Sequence, residues 1–394
     1  MNKDDNIDKV DSLEMSAEEE KTTSNNNDKK ELKKKMIMLM GIILGGFILI
    51  LLILAIFSLF SSKSYSYDDL EKVLKNAAVS YFKDNKKSLP NSDDQTVEID
   101  SSVLIASEYM KEFSEYRSDA DSCSGKVIVQ KSDDTYSYTP YLTCGDDYIT
   151  EALYQVITKK TVNTGAGLYK VANSYVYRGE EVNNYVKLDN ALWRIVRVTA
   201  DKKIELVLNS DYNYSYPWDD RYNNESGYNS GNNDYSASRI KSYLSSIYKD
   251  NDEGTYILSA NDRTKLAKFS LCIGKRTSDS TDKEGTVECS NKVNDQKIGL
   301  LTVSDYINAS LDSNCINSTS YSCQNYNYLV TDFDWWLATA VEGSTDNVFA
   351  VDSRGVVVEE SASAYMSVRP VIYLNDTNLF KSGTGTAKKP YRIK

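Results

Sequence analysis

Residues 209–236 read NSDYNYSYPWDDRYNNESGYNSGNNDYS. Tyr212, Tyr214, Tyr216, Trp218, Tyr222 and Tyr228 stand there among Asn, Ser, Gly and Asp. Rigid amphipathic aromatics supply contact area at low entropic cost, and short polar side chains supply adaptable hydrogen bonds. That is the chemistry of a recognition surface, and these six residues are the candidate binding set. The plainer alternative is a variable, solvated loop without a ligand. A second candidate is Arg369 in VRPVIYL. In mid-strand it either faces a groove or lies buried against a carboxylate such as Asp334 or Asp352. Trp335 and Trp336 point to alternate sides of a strand, so one enters the core while its neighbour covers a second surface.

Reactive chemistry is poorly represented. The chain contains no histidine, which removes the usual general base, the Ser-His and Cys-His pairs and the commonest metal ligand. No phosphate-binding loop or dinucleotide fingerprint occurs. Asp219-Asp220 is a carboxylate pair, but nothing in the sequence distinguishes it from a solvated face. No catalytic residue, cofactor or metal set is nominated. A formal charge of -11 argues against a general nucleic-acid binder. Thirty tyrosines against nine phenylalanines fit wet, contact-rich surfaces, and equally an Asn-, Lys-, Asp- and Tyr-rich composition inherited from an AT-rich genome.

Such residues need a setting. Residues 36–60, MIMLMGIILGGFILILLILAIFSLF, carry no charge. As a helix they reach roughly 37 Å, enough to cross a bilayer with some tilt. A polar segment precedes the run and no A-x-A site follows, so a cleaved signal is disfavoured. Lys29, Lys30, Lys33, Lys34 and Lys35 flank its start, whereas Lys63 alone stands close behind it. The positive-inside rule places the N-terminus in the cytoplasm and residues 61–394 outside the cell. Residues 1–28 are charged and poor in large apolar side chains, so residues 1–35 are expected to form a disordered cytoplasmic tail. The six cysteines all fall on the outer side, where disulfides are permitted.

Beyond the span, Leu70, Val73, Leu74, Ala77, Ala78, Tyr81 and Phe82 recur at helical spacing, and Asp68 and Asp69 favour that helix's N-terminal end. GKVIVQKSDDTYSYTPYLTC then reads as a hairpin turning at Asp133-Asp134, with Pro140 suggesting an edge strand. Cys123 and Cys144 flank it symmetrically and should pair. A membrane helix running into an amphipathic helix on a small sheet resembles a type IV pilin or pseudopilin over residues 36–150. Gly46-Phe47 could begin a prepilin pattern, but its fifth mature position is then Leu51 in place of Glu. Residues 61–150 are therefore expected to be a pilin-like stalk, with residues 151–168 as a linker.

From residue 169 the order is strands and short helices, an α+β pattern. YVYRGEEVNNYVKL reads as strand, turn, strand, and ALWRIVRV with KIELVLNS as a hairpin. SASRIKSYLSSIYKD and SANDRTKLAKFSLCIG read as helices, as does VSDYINAS with Ser304 as N-cap. NVFAVD and GVVVEE form a hairpin, and SVRPVIYL a further strand. The ordered set NNYVKLDNALWRIVRV, DYSASRIKSYL, KIGLLTVSDYI, WWLATA, VRPVIYL and GTGTAKKPY resembles uncharacterised extracellular domains of Gram-positive bacteria. These are related in fold to C-type lectins and to formylglycine-generating, sulfatase-modifying factors. Family members commonly carry Trp-Trp-Leu-Arg-Ser where this chain has Trp335-Trp336-Leu337-Ala338-Thr339.

The resemblance implies a C-type-lectin-like domain over residues 169–394, and the strand pattern itself places Trp193, Trp335 and Trp336 with the apolar strand faces in its core. Cys272 and Cys289, and Cys315 and Cys323, each bracket a polar loop and are expected to pair. The calcium-site motifs of sugar-binding C-type lectins are missing, and no cysteine follows Cys323 to supply a late copper-binding pair. The expected protein is thus a single-pass, membrane-anchored extracellular binding or adhesion protein. Its partner would be a glycan, a cell-wall polymer or another protein, and not a nucleic acid. A structural envelope component without a ligand, or an enzyme on the sulfatase-modifying-factor fold, are the alternatives.

Overall fold

The computed structural model describes residues 29–51, 65–92, 95–132, 135–225, 230–248 and 257–394. The expectations for residues 1–28, Lys63, the Asp133-Asp134 turn and Tyr228 fall outside these. Helix α1, Lys29–Leu51, is long and apolar enough to cross a membrane, a property that a signal segment near an N-terminus shares, and it begins at Lys29, so residues 29–35 of the expected disordered tail are helical. Large apolar side chains such as Ile37, Leu44 and Phe47 are exposed on it, as on a helix that is apolar all round. Residues 52–60 of the expected span lie outside the described residues.

Residues 65–394 form a second compact unit with two apolar cores. The smaller core begins at α2, Tyr67–Asp84. Ser66 caps it: its hydroxyl accepts the Asp69 N–H at 3.2 Å while the Asp69 carboxylate accepts the Ser66 N–H at 3.2 Å. After it come β1 (Thr96–Asp100), α3 (Ser101–Ala106), α4 (Phe113–Tyr116), β2 (Cys123–Ser132), β3 (Thr135–Cys144) and β4 (Tyr148–Ile149). The four strands form one antiparallel sheet in the order β1-β2-β3-β4.

Leu70, Leu74, Ala77, Ala78 and Phe82 share one helical face and are buried with Val127, Val129 and Leu142 of the sheet. Gly125 permits this approach, since a Cβ there would lie 2.6 Å from Leu74 Cδ2 and 2.8 Å from the Tyr141 carbonyl oxygen. The ladder sets Cys123 opposite Cys144, and they are disulfide-bonded as their symmetric placement required. Pro140 sits on the part of β3 that β4 does not pair.

The larger core draws on α5 (Leu153–Thr158), β5 (Gly167–Val171), β6 (Ser174–Arg178), β7 (Tyr185–Leu188), β8 (Ala191–Val198), β9 (Ile204–Leu208) and β10 (Asn213–Pro217). It continues through α6 (Arg239–Tyr248), α7 (Ala260–Arg263), β11 (Leu266–Ala267), β12 (Phe269–Cys272), β13 (Lys292–Gln296) and α8 (Val303–Asn308). Last come β14 (Trp335–Ala340), β15 (Asn347–Val351), β16 (Val357–Ser361), β17 (Tyr365–Val368), β18 (Val371–Leu374), β19 (Phe380–Ser382) and β20 (Arg392–Ile393). One sheet orders its strands β11-β18-β9-β8-β6-β5, with β7 also on β8, and a five-stranded sheet orders them β10-β17-β14-β15-β16. The molecule is thus mixed α+β with mostly antiparallel pairing.

Several sequence expectations change. SVRPVIYL is two strands in two sheets: β17 belongs to the five-stranded sheet and β18 to the larger one. Pro370 has no N–H to continue a ladder, and its carbonyl instead accepts the Leu208 N–H at 3.0 Å. SANDRTKLAKFSLCIG is helical only at Ala260–Arg263. Phe269, Leu271 and Ile273 are buried at alternate positions, a period of two that pairing with β13 satisfies and a helix does not. Thr302, not Ser304, caps α8: its hydroxyl accepts the Asp305 N–H at 3.2 Å. Residues 151–168, read as a linker, contain α5, whose Leu153 and Ile157 enter the larger core. That segment is also fixed to the C-terminal part of the larger body, because the Leu153 N–H donates to Asn378 O at 2.8 Å and the Phe380 N–H to Glu151 O at 2.9 Å.

Candidate functional site

The tyrosine-rich segment is a built part of the fold. β10 pairs with β17, setting Tyr216 opposite Met366 and Pro217 opposite Tyr365. Two indoles then fasten it reciprocally to β14. Trp336 Nε1 donates to the Tyr216 carbonyl at 2.8 Å, and Trp218 Nε1 donates to the Leu337 carbonyl at 3.1 Å. Further along, Asn223 Nδ2 donates to Gly231 O at 2.7 Å, and Asn233 Nδ2 to Ser344 O and Asn347 O at 3.0 and 2.9 Å. Gly231, at φ 79°, allows the closure, since a Cβ would lie 1.7 Å from the Asp219 carbonyl oxygen. The described parts of the stretch, residues 209–225 and 230–236, are thus pinned to the sheet by specific hydrogen bonds.

This fastening corrects one member of the candidate set. Trp218 is fully buried, edge-on to Tyr235 with ring centroids 5.8 Å apart. Its large apolar ring and single N–H are both satisfied inside, so it braces the surface without touching a ligand. Asp219 is likewise buried and holds Arg221, whose Nε donates to both carboxylate oxygens at 2.9 and 3.0 Å.

Other aromatics remain available. Tyr216 is half-buried and stacks on Tyr243 of α6 at 4.1 Å between centroids. Tyr222 is 59 % exposed and Tyr365 is 64 % exposed, while Tyr212 is half-buried. The Tyr214 side chain and Tyr228 lie outside the described residues. Arg239 Nη1 meets Asp220 Oδ1 at 2.9 Å, close enough to Tyr216 for both charges to act on its phenol. Burial pushes the Tyr212 and Tyr216 phenols above their ordinary value; at Tyr216, Arg239 opposes this while Asp220 and Tyr365 add to it. Tyr243, Tyr365 and Arg239 were not among the sequence candidates: Arg239 and Tyr243 belong to the helix that follows the stretch, and Tyr365 to a strand distant in the chain. Only the pairing of β10 with β17 and the packing of α6 bring them together.

Arg369 resolves differently from expectation. It is buried at the crossing between the two sheets, where its Nε donates to Leu208 O at 3.2 Å and its Nη1 to Leu329 O at 2.9 Å. Its guanidinium lies 4.5 Å from the Trp335 ring centroid. Neither expected carboxylate serves it: Asp334 accepts the Ser353 N–H at 2.6 Å, and Asp352 accepts Arg354 Nε at 2.9 Å. The reason is the strand's division at Pro370, which turns the side chain toward free carbonyls at the crossing. Burial first, and the charge of Arg194 second, push its pKa down to about 9. Trp193, Trp335 and Trp336 are all fully buried. Every position of β14 is buried, so both tryptophans are core residues although they point to opposite faces.

Two further charged pairs are internal. Arg276 meets Glu288 at 3.2 Å, with Ser304 donating to Glu288 at 2.9 Å. Arg197 meets Glu205 at 2.8 Å beside a small cavity of about 60 Å³. Cys272–Cys289 and Cys315–Cys323 are disulfide-bonded, as is the first pair. Among the described residues, no group of three or more His, Cys, Asp or Glu side chains is placed to hold a metal. No protein-family model, characterised protein or solved structure matches the chain.

Proposed function

We propose that this chain is a membrane-anchored extracellular binding protein that takes a carbohydrate chain on the tyrosine surface around β10. The reciprocal indole fastening of β10 to β14 carries this reading. It holds the aromatic rings in place before any ligand arrives, so little ordering entropy remains to be lost on binding. The flat Tyr216–Tyr243 stack suits the apolar face of a sugar ring, and the adjacent Arg239–Asp220 pair offers donors and acceptors for hydroxyls. The apolar α1 helix supports membrane attachment, and the three disulfides support an oxidising exterior. The antiparallel α+β make-up of residues 151–394 is compatible with a C-type-lectin-like form. A helix laid on a four-stranded sheet is likewise compatible with a pilin-like form for residues 65–150.

The test is an array of neutral and charged glycans probed with the full-length chain in detergent micelles. The proposal expects saturable binding to at least one carbohydrate family that disappears in a Tyr216→Ala/Tyr365→Ala double variant. Absence of any saturable signal, or a signal indifferent to both substitutions, would sink it.

A further inference from the structure

A second recess lies where the two cores meet, and its chemistry is unlike that of the tyrosine surface. β3 forms one wall through residues 135–140, and residues 375–379 form the other, with Asn261, Thr264 and Lys265 beside them. The cavity has about 420 Å³. A neighbouring cavity of about 380 Å³ shares Lys75, Pro140, Leu379 and Lys394 with it, so the two are parts of one cleft.

The cleft is preformed. Backbone hydrogen bonds from residues 378–380 to Glu151 and Leu153 fix the second wall to the chain that leaves the small sheet. Lys394 ties the two bodies across the junction: its ammonium donates to Asp68 at 2.9 Å and to the buried Glu71, which also accepts the Tyr148 hydroxyl at 2.7 Å. Thr377 Oγ1 reaches Gln130 Oε1 across the same junction at 3.4 Å.

Its charge runs against the molecule's. Lys72, Lys75, Lys265, Lys381 and Lys394 line it, whereas Asp68 and Glu71 are the carboxylates among its lining residues. Lys394 answers those two, Lys72 is held by Asp69 and Lys265 by Asp262. Among the described residues Lys75 and Lys381 have no ion-pair partner. Ser137, Thr139 and Asn261 add side-chain donors and acceptors without a hydrogen-bond partner among the described residues. Unpaired cations exposed in a cleft of a chain of net charge -11 favour an anionic ligand, with Pro140, Leu379 and the tyrosine rings beside them offering apolar contact.

We infer that this cleft binds an anionic, hydroxyl-bearing polymer, with Lys75 and Lys381 meeting its negative charges and the amide and hydroxyl groups its alcohols. Phosphodiester-linked polyols and carboxylated glycans share that chemistry. This inference does not depend on the tyrosine surface having a ligand.

The experiment titrates the full-length chain in detergent micelles with four probes: a poly(glycerol phosphate), polygalacturonate, neutral dextran and poly-glutamate. The expected result is saturable binding of one or both of the first two, with dextran and poly-glutamate at least tenfold weaker. Which of the two binds identifies the anion. A Lys75→Glu/Lys381→Glu variant should lose at least tenfold in affinity, and Lys75→Arg/Lys381→Arg should keep it within about threefold. Lys170→Glu, at an exposed lysine lining neither cavity, should behave as wild type, and unchanged melting temperatures would show that all variants fold. Failure of both polyanions to bind, poly-glutamate binding as well as they do, or an unchanged affinity in the charge-reversal variant would each overturn the inference.

Discussion

The tyrosine surface and the lysine-lined cleft are assembled in opposite ways. The tyrosine surface is mostly one stretch of chain, laid along the edge of a sheet and held by side chains that face inward: Trp218, Asn223 and Asn233. Its outward face is phenol beside the Arg239–Asp220 and Arg221–Asp219 ion pairs. The cleft sets one stretch, residues 135–140, against residues from elsewhere in the chain. It takes residues from α2, β3, α7, the 375–379 segment and Lys394, and exists only because two separately cored bodies meet. Its donors are ammonium groups that carry charge to the ligand. Composition alone can produce a surface of the first kind, whereas the second depends on docking, and the two should respond differently to the same perturbations.

The largest difference should come from Trp218→Ala. Removing a fully buried indole leaves a cavity worth about 3–5 kcal/mol of stability, and denaturant unfolding would measure it. Next, Glu71→Ala strikes the junction. It removes the acceptor shared by Lys394, Tyr148 and Thr150 and should lower stability by about 2–3 kcal/mol, with the cleft's polyanion affinity falling in parallel. A loss confined to the tyrosine surface's ligand would break the comparison.

Smaller and more selective is Tyr365→Ala. The ring is 64 % exposed, so melting should move little while glycan affinity falls about tenfold, or about 1.4 kcal/mol. Salt separates the sites further. Raising ionic strength from about 0.05 to about 0.5 M shortens the Debye length several-fold, so the cleft's affinity should drop at least fivefold and the tyrosine surface's less than twofold. The smallest effect expected is that of pH. Because burial raises the Tyr212 and Tyr216 phenols, they remain protonated through the neutral range, and glycan affinity should stay flat between about pH 6 and 9.

The same contrast explains what the sequence revealed. The tyrosine segment was visible because its residues are contiguous, and the helix α2 and hairpin β2–β3 were visible because their periodicities of 3.6 and two are local. Cys123–Cys144 followed from hairpin symmetry. Trp218 was misplaced because an aromatic in a polar loop carries no local sign of whether it points in or out. Arg369 was given a carboxylate partner because the division of SVRPVIYL at Pro370 depends on two sheets crossing, which no window of the sequence records. The cleft lysines are scattered across the chain and read individually as ordinary solvated charges. Non-local assembly, not weak propensity, set the limit in each case.

The most direct measurement is a calorimetric titration of the full-length chain with a glycan recovered from the array, repeated with Tyr216→Ala/Tyr365→Ala and with Lys75→Glu/Lys381→Glu. The account predicts that the tyrosine variant abolishes the heat of binding while the lysine variant leaves it within about twofold. Equal losses in both variants, or undiminished binding in the tyrosine variant, would contradict it.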